Sequence, residues 1–358
     1  MNATGKLQAL GQSLWLDNIT RDLLDNGGMQ RYIDAFHVTG LTSNPTIFEK
    51  AITGGHAYDD DIRAAPPASS DEAVFNSLAL ADLRRAADLF APVHAASAGV
   101  DGWVSMEVSP LLVDDAEGSI AAAIELHKQA ARNNLYIKIP GTKAGVTAIE
   151  ECIFAGVPIN VTLLFSSAQY EAAANAWLRG IERRIEAGRD PAVSSVGSVF
   201  ISRWDVAVQD KVPVDMHNQL GIAVAQQCHA IYRQLLQSPR WLRVASAGAP
   251  LQRLLWASTG SKDPAASETL YVEALAAADT IDTIPEKTLH ALAENGRIGD
   301  VMSADENAGE ATIGRFVTAG IDIDALAEQL QREGAQAFSK SWHSLMHAIA
   351  AKRKGQAS

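Results

Sequence analysis

The sequence predicts an α/β fold, a single (β/α)8 TIM barrel with additional helices. Short runs rich in β-branched residues alternate with longer helical segments along the chain. Eight such runs are present, and eight strands are what a closed parallel barrel needs. The 358 residues are 47% hydrophobic and 20% charged, a balance that can bury a large core. We therefore expect one domain over residues 1–358, with a helical C-terminal extension from about 300 to 358 packed on the barrel.

The predicted strands are short, rich in Val, Ile and Leu, and bounded by polar or turn-forming residues. Strands of an all-parallel barrel are covered on both faces, which explains their high content of aliphatic residues. They cover residues 13–17, 38–43, 102–108, 135–140, 157–165, 195–202, 252–258 and 279–285.

The predicted helices repeat their apolar residues at intervals of three and four. Ser119 is the expected cap of the second helix, whereas Ser166 and Gly188 are expected to flank the third. The last residues, 351–358, are expected to fray. The helices cover 71–97, 119–134, 166–188 and 215–245, and the chain is helical again from about 306.

The composition argues against several classes of partner. Thirty basic and 42 acidic residues give a formal net charge of −12, so we expect no nucleic-acid-binding face. No stretch approaches 18 apolar residues and no signal peptide is recognisable, so we expect no membrane association. The two cysteines, Cys152 and Cys228, fit a reducing compartment and predict a cytoplasmic protein. Whether the protein is a monomer or a homodimer stays open.

Polar residues lie within, end or follow seven of the eight predicted strands. In a (β/α)8 barrel the C-terminal ends of the strands meet at one rim, where active sites lie. A single serine or asparagine there is more simply explained as a turn residue, but the set as a whole indicates a functional rim. Its members are Asp17, Ser43, Asn44, Glu107, Lys138, Asn160, Thr162, Ser202, Arg203, Ser258 and Thr259.

Lys138 is the most informative of these residues, because it lies between Ile137 and Ile139 inside a predicted strand. Lysines often protect edge strands from aggregation, but a closed barrel has no edge strand. Burial disfavours the charged ammonium and makes the neutral amine available as a nucleophile. A desolvated strand lysine is therefore expected to form a Schiff base with a carbonyl substrate.

Asp17 and Glu107 lie on different predicted strands, and both are expected to face the barrel interior. Schiff-base chemistry needs proton transfers when the imine forms, when a carbon–carbon bond breaks and when the imine is hydrolysed. A positioned carboxylate with an ordered water can serve these steps. The alternative is that either acid forms a buried ion pair with Arg203 or Lys138.

Other motifs point to neither a metal nor a nucleotide. His343 and His347 have the i, i+4 spacing of a zinc motif but lack its glutamate, and a plain helix face explains them better. Neither a dinucleotide-binding nor a P-loop glycine motif is present. We therefore expect no metal and no cofactor.

Five segments, in order along the chain, resemble the transaldolase family. They are LTSNPTIFEK (41–50), LYIKIPGT (135–142), INVTLLFS (159–166), LWASTGSKDP (255–264) and TIPEKTL (283–289). The second segment contains Lys138 and resembles the active-site lysine motif of that family. The resemblance covers roughly residues 10–300 and points to the longer bacterial transaldolases, which are class I Schiff-base aldolases.

The resemblance implies a reaction of the pentose phosphate pathway and a role for each site residue. A dihydroxyacetone unit would pass from sedoheptulose 7-phosphate to glyceraldehyde 3-phosphate, giving erythrose 4-phosphate and fructose 6-phosphate. Lys138 would form the imine at C2 of the ketose, and Asp17 would act on the C4 hydroxyl. Glu107 and Thr162 would hold the water that moves protons at the imine. Groups that bind the dihydroxyacetone hydroxyls would be Asn44, Asn160 and Ser202, and Ser258 would contact the phosphate.

The phosphate-binding region departs from the family pattern. Gly260 and Ala207 occupy positions where well-known relatives carry arginine, so we expect Arg203 and Lys262 to hold the phosphate instead. The alternative is a solvated Lys262 and an Arg203 that pairs with Asp205 or Glu107.

Two other functions remain as alternatives to a transaldolase. A fructose-6-phosphate-type aldolase would use the same lysine and release free dihydroxyacetone, so the sequence barely separates the two. A non-catalytic sugar-phosphate sensor is disfavoured, because Lys138, Asp17 and Glu107 are all present.

Overall fold

The computed structural model describes residues 2–303, 305 and 307–354. Its strands are β1 (Ser13–Leu16), β2 (Val38–Leu41), β3 (Val104–Glu107), β4 (Leu135–Pro140), β5 (Ile159–Leu164), β6 (Ser195–Phe200), β7 (Arg253–Ala257) and β8 (Thr280–Ile284). Consecutive strands pair in parallel, and β8 returns to pair with β1, so the sheet closes. The predicted closed barrel is confirmed, and each strand lies within its predicted range.

The strand register places three polar side chains in one layer of the barrel. Glu107 of β3 pairs with Lys138 of β4, and Lys138 pairs with Asn160 of β5. Since side chains alternate between the two faces of a strand, Ile137 and Ile139 lie on the face opposite Lys138. Both isoleucines are fully buried, and each contributes roughly 1.5–3 kcal/mol of transfer free energy. Aliphatic packing outside the barrel thus supports a polar layer inside it.

Helices surround the barrel and connect its strands. They are α1 (Ala3–Leu10), α2 (Arg21–Asp25), α3 (Gly28–Phe36), α4 (Pro45–Gly54), α5 (Asp59–Ala64), α6 (Asp71–Ala96), α7 (Ala116–Ala130), α8 (Lys143–Ala155), α9 (Ser167–Glu186), α10 (Ser202–Val208), α11 (Leu220–Gln237), α12 (Pro239–Ser246), α13 (Leu270–Ala274), α14 (Glu286–Asn295), α15 (Glu310–Thr318) and α16 (Ile323–Lys354). Single 3-10 turns cover Pro110–Leu112, Gln209–Lys211 and Val214–Met216.

The start predicted for α7 was wrong. This helix begins at Ala116 because the Asp115 carboxylate accepts a hydrogen bond from the backbone N–H of Gly118 at 2.9 Å. Ser119 lies inside the helix, where its hydroxyl donates to the carbonyl of Leu112 at 3.1 Å. The acidic residue is therefore the cap, and its charge also favours the helix N-terminus.

The single long helix predicted over 215–245 was also wrong. The stretch is divided between α11 and α12 at Ser238 and Pro239. Proline cannot donate a backbone hydrogen bond to the preceding turn, so α11 ends and a new helix begins there. The Ser238 hydroxyl caps α12 by accepting from the N–H of Trp241 at 3.1 Å.

The last helix, α16, packs against α4, α6 and the end of β5. Near its end, Lys352 donates to the carbonyl of Gly55 at 2.8 Å and Arg353 donates to the carboxylate of Asp71 at 2.7 Å. Residues 351–354 are therefore helical and not frayed, and 355–358 lie outside the described residues. In the part of the chain that the structure describes, we find no helix both long and apolar enough to cross a membrane.

Candidate active site

The amino group of Lys138 is buried and lies within contact of two oxygen atoms. Only 5% of the residue is exposed. Its Nζ lies 2.5 Å from Oε1 of Glu107 and donates to the backbone carbonyl of Ser43 at 3.0 Å. Ser43 is itself fixed, because its hydroxyl donates to the carbonyl of Ser105 at 2.7 Å. The ion pair with Lys138, which the sequence left open as an alternative, is the contact that Glu107 forms.

Burial and the charges of neighbouring groups act in different directions on the Glu107 carboxyl group. Burial raises the pKa of Glu107 above its usual value, the positive charge of Lys138 opposes that shift, and the charge of Asp17 adds to it. A carboxyl group with a raised pKa in contact with an amine can take up a proton from it and return that proton. The pair therefore has the arrangement needed to deprotonate Lys138 for nucleophilic attack.

Asp17 is the second acid of the site and follows β1. Its carboxylate accepts hydrogen bonds from the Thr42 hydroxyl at 3.2 Å and from the Asn44 amide at 3.4 Å. Asn44 also caps α4, since its Oδ1 accepts from the N–H of Ile47 at 3.1 Å. Burial raises the pKa of Asp17, while the charge of Lys138 lowers it. Asp17 can thus exchange a proton with a bound hydroxyl while its orientation is fixed by the start of a helix.

A cavity of about 120 Å³ lies at the C-terminal ends of the strands. It brings together seven of the ten site residues predicted from the sequence, namely Asp17, Asn44, Lys138, Thr162, Arg203, Ser258 and Lys262. The other three lie behind the wall of this cavity. Each contacts a wall residue: Glu107 pairs with Lys138, Asn160 bonds to Ser198, and Ser202 bonds to Ser258.

A larger cavity, of about 960 Å³, lies at the opposite end of the barrel around Arg253 and Asp101. We place the active site in the smaller one, because active sites of (β/α)8 barrels lie at the C-terminal ends of the strands. The groups at the other end satisfy each other: Asp101 accepts from the Trp15 indole at 2.7 Å, and Arg253 donates to the carbonyl of Thr280 at 2.7 Å. These residues are therefore best explained as a structural hydrogen-bond network that closes this end of the barrel.

The two predicted residues of β5 differ in their surroundings. Asn160 is fully buried, donates to the Ser105 hydroxyl at 3.1 Å and accepts from Ser198 at 2.7 Å. Both ends of its amide are thus engaged inside the barrel. Thr162 faces the cavity, and its buried Oγ1 has no hydrogen-bond partner among the described residues. A buried hydroxyl without a partner is suited to hold a water or a substrate group.

Ser202 and Ser258 join the ends of β6 and β7. Their hydroxyl oxygens are 2.9 Å apart, and the backbone N–H of Ser202 donates to the carbonyl of Ser258 at 3.1 Å. Ser258 has a φ of 58°, a left-handed conformation that is uncommon for a residue with a side chain. This turn directs the Ser258 side chain to the cavity wall.

Two cations, Arg203 and Lys262, line the same cavity. Neither forms an ion pair with any of the residues that the structure describes. Asp205, the alternative partner of Arg203, instead accepts from the N–H of Leu220 and from the Tyr271 hydroxyl, both at 2.9 Å. The charge of Glu333 acts on Arg203 and that of Lys262 acts on Asp17, but neither cation is in ion-pair contact, so both can attract an anionic ligand.

Further residues that the sequence did not single out also line the cavity, among them Thr42, Thr283, Phe200 and Phe338. Thr42 and Thr283 bond to each other at 2.6 Å, and Thr42 supports Asp17. Thr42 could have been predicted from the sequence as a site residue, because it directly precedes the predicted rim residues Ser43 and Asn44. Phe200 and Phe338 close the wall, but Phe338 comes from α16, and nothing local in the sequence relates it to the strand ends.

A buried lysine with two partly buried acids at this rim of a closed (β/α)8 barrel is an arrangement that can form an imine with a carbonyl compound. The family model described as Transaldolase/Fructose-6-phosphate aldolase matches residues 14–349. The chain belongs to this family.

Several curated proteins named transaldolase are similar to the chain over almost its whole length. One from Parafrankia sp. (strain EAN1pec) is 40% identical over 354 residues, covering 96% of each chain. One from Acidothermus cellulolyticus is 41% identical over 354 residues, 96% of this chain and 95% of that protein. One from Mycolicibacterium smegmatis is 40% identical over 352 residues, with 96% and 95% covered. The family predicted from the five sequence segments is confirmed.

Proposed function

We propose that the protein is a transaldolase of the pentose phosphate pathway. It transfers a dihydroxyacetone unit from sedoheptulose 7-phosphate to glyceraldehyde 3-phosphate, giving erythrose 4-phosphate and fructose 6-phosphate. The observation that carries this proposal is the buried amine of Lys138 at the cavity wall, 2.5 Å from the Glu107 carboxyl. The names of the relatives, which align with 96% of the chain, support it. This chemistry requires neither a metal nor a cofactor.

In the first step Lys138 attacks the carbonyl carbon C2 of the ketose. Glu107 takes the proton from the Lys138 ammonium, because its Oε1 is in contact with Nζ. The new C–N bond forms as the carbonyl oxygen becomes a hydroxyl, which then leaves as water and yields the imine. A water held by Glu107 and Thr162 carries the protons for both changes.

In the second step Asp17 removes the proton of the C4 hydroxyl. The C3–C4 bond breaks, its electron pair moves toward the nitrogen of the protonated imine and neutralises its positive charge to give an enamine, and an aldehyde leaves. When the acceptor aldehyde has entered, the enamine carbon attacks its carbonyl and Asp17 returns the proton to the new hydroxyl. Hydrolysis of the imine releases the product and restores Lys138.

Binding groups surround these three residues. We assign the hydroxyls of the dihydroxyacetone portion to Asn44, Asn160 and Ser202, with Asn160 acting through its neighbour Ser198 and Ser202 through Ser258. We assign the phosphate to Ser258, Arg203 and Lys262. Arg203 and Lys262 lack acidic partners in the described part of the chain, so a phosphate dianion would balance their charge.

A coupled assay with fructose 6-phosphate tests the reaction class. Turnover that requires erythrose 4-phosphate as acceptor is the result expected of a transaldolase. Equal turnover without the acceptor would instead identify a fructose-6-phosphate-type aldolase, in which water reaches the intermediate first. Binding of the sugar phosphate without any turnover would identify a non-catalytic sensor.

The expected setting of the enzyme is the cytoplasm, with sugar phosphates as partners and no nucleic acid or membrane. Two buried free cysteines, Cys152 and Cys228, are consistent with a reducing compartment. That the chain forms one domain, and that it acts as a monomer or homodimer, stay predictions.

A further inference from the structure

One face of α16 lies against the ends of β4 and β5, beside the site. Gln331, Gly334 and Phe338 are spaced by three and four residues, so they share this face. Phe338 lines the active-site cavity. Gly334 is buried, and a Cβ atom added to it would lie 2.8 Å from Cδ2 of Leu163. The helix is thus in tight contact with β5 next to Thr162.

The end of β5 has an unusual backbone conformation. Leu163 has a φ of 57°, a left-handed value that is rare for a residue with a branched side chain. The pairing of β5 with β6 shifts its register between Val161 and Leu164, so the strand is bulged here. Bulges near active sites redirect side chains. Thr162, the residue directly before Leu163, faces the cavity. The direction of the Thr162 hydroxyl therefore depends on the bulge.

The amide of Gln331 holds this bulge from outside the barrel. Its Nε2 donates to the carbonyl of Leu163 at 2.9 Å and to the carbonyl of Gly141 at 3.1 Å. Gly141 follows β4, and its own N–H donates to the carbonyl of Thr162 at 2.7 Å. One side chain of the C-terminal helix therefore connects the ends of the strands that carry Lys138 and Thr162. A carboxamide suits this role because its NH₂ group has two protons to donate.

We propose that Gln331 is a positioning residue for catalysis, which holds the β5 bulge so that the Thr162 hydroxyl points into the cavity. This inference rests on the proposed function, in which Thr162 and Glu107 hold the proton-carrying water. It assigns to the C-terminal helix a role in the chemical step, beyond closing the cavity with Phe338.

The test compares two glutamines of the same helix. Gln331→Met keeps the length of the side chain and removes both donors. Gln329→Met makes the same change at an exposed position, where the amide donates to Glu333 of α16 itself. We expect Gln331→Met to lower kcat about 10–100-fold with little change in KM for fructose 6-phosphate, because small displacements of catalytic groups are costly. Gln329→Met should leave both constants unchanged.

A double-mutant cycle separates positioning from general stability. In a Thr162→Val background the hydroxyl is absent, so Gln331→Met should cause almost no further loss of kcat. If Gln331→Met does not fold, Gln331→Glu replaces it, since glutamate keeps the length and helix propensity but does not donate two N–H groups. The same pattern is expected for that variant.

Three results would overturn the proposal: equal kcat for the Gln331 and Gln329 variants, an equally large loss in the Thr162→Val background, or an unchanged kcat for Thr162→Val itself. Failure of the proposed function has a different signature. In that case the wild-type protein would show neither turnover nor a borohydride-stable adduct on Lys138.

Discussion

Glu107 and Lys138 occupy directly paired positions of β3 and β4, and their Oε1 and Nζ atoms are 2.5 Å apart. A buried ion pair of this kind is a weak source of stability, because desolvation of the two charges offsets their attraction. Their protons are best treated as shared by the pair, so protonation of one depends on the other. In the proposed mechanism the arrangement serves catalysis, since it would let Lys138 pass a proton to Glu107 instead of to solvent.

Substitution of Asp17 by asparagine should separate catalysis from binding. The amide keeps the shape of the side chain but cannot take the proton of the C4 hydroxyl, so kcat should fall about 10²–10⁴-fold. KM for fructose 6-phosphate should change little, because the hydrogen bonds from Thr42 and Asn44 still have an oxygen to reach. Steady-state kinetics provide the measurement, and an unchanged kcat would remove Asp17 from the mechanism.

The proposed phosphate clamp predicts a selective loss of affinity. Arg203→Ala and Lys262→Ala should each weaken binding of phosphorylated sugars by about 1.5–3 kcal/mol, the scale of a charged hydrogen bond. Unphosphorylated dihydroxyacetone should be affected little. Lys287→Ala is the matched control, since this exposed lysine pairs with Glu268 and does not line the cavity. Normal KM values for fructose 6-phosphate in both variants would place the clamp elsewhere and leave Ser258 alone in that role.

Asp282 should make the stability of the protein depend on pH. It is fully buried in β8, and burial raises its pKa from 3.8 to about 7, although Thr259 donates to its carboxyl at 2.7 Å. Between about pH 4 and about pH 7, Asp282 is therefore protonated in the folded state and ionised in the unfolded state. The free energy of unfolding should be highest below this window and fall as pH rises through it, by on the order of 4 kcal/mol.

Denaturant unfolding at pH 5 and pH 8 measures this effect, with Asp282→Asn as the comparison. Asparagine keeps the acceptor for Thr259 but does not titrate, so the difference in stability between the two pH values should shrink. Burial raises the pKa of Glu107 and Asp17 as well, so the stability of the variant should still depend on pH to some extent. The same dependence in both proteins would show that Asp282 is not its source.

Activity should survive prolonged treatment with a metal chelator. Among the described residues there is no group of three or more His, Cys, Asp and Glu side chains arranged to hold a metal. The proposed imine supplies the electron sink that a metal would otherwise provide. Loss of activity that zinc restores would indicate a metal-dependent aldolase and would contradict the Schiff-base account.

The parts of the fold that depend on local pattern could be predicted from the sequence. The strands were recognisable because each is a short aliphatic run, and Lys138 stood out because it interrupts one of them. Errors arose where two local signals competed. Asp115 and Ser119 are both acceptable caps, and only the contacts of the helix start decide between them. Pro239 was an available signal for the break between α11 and α12.

The supporting parts of the site could not be predicted, because they depend on contacts between distant segments. Gln331 and Phe338 reach the strand ends from α16, and their sequence neighbours carry no sign of it. The sequence left open whether Glu107 would pair with Lys138 or with Arg203, and the register of β3 and β4 places it beside Lys138. Thr283 lies in a correctly predicted strand, yet its role appears only through its bond to Thr42.

The central claim is that Lys138 forms a covalent imine with the ketose. Incubation with fructose 6-phosphate and borohydride, followed by peptide mass analysis, tests it most directly. We predict a reduced three-carbon adduct on the peptide that contains Lys138, and no adduct in Lys138→Arg, because a guanidinium does not form the imine. An adduct on another lysine, such as Lys143, or an adduct that persists in Lys138→Arg, would contradict the account.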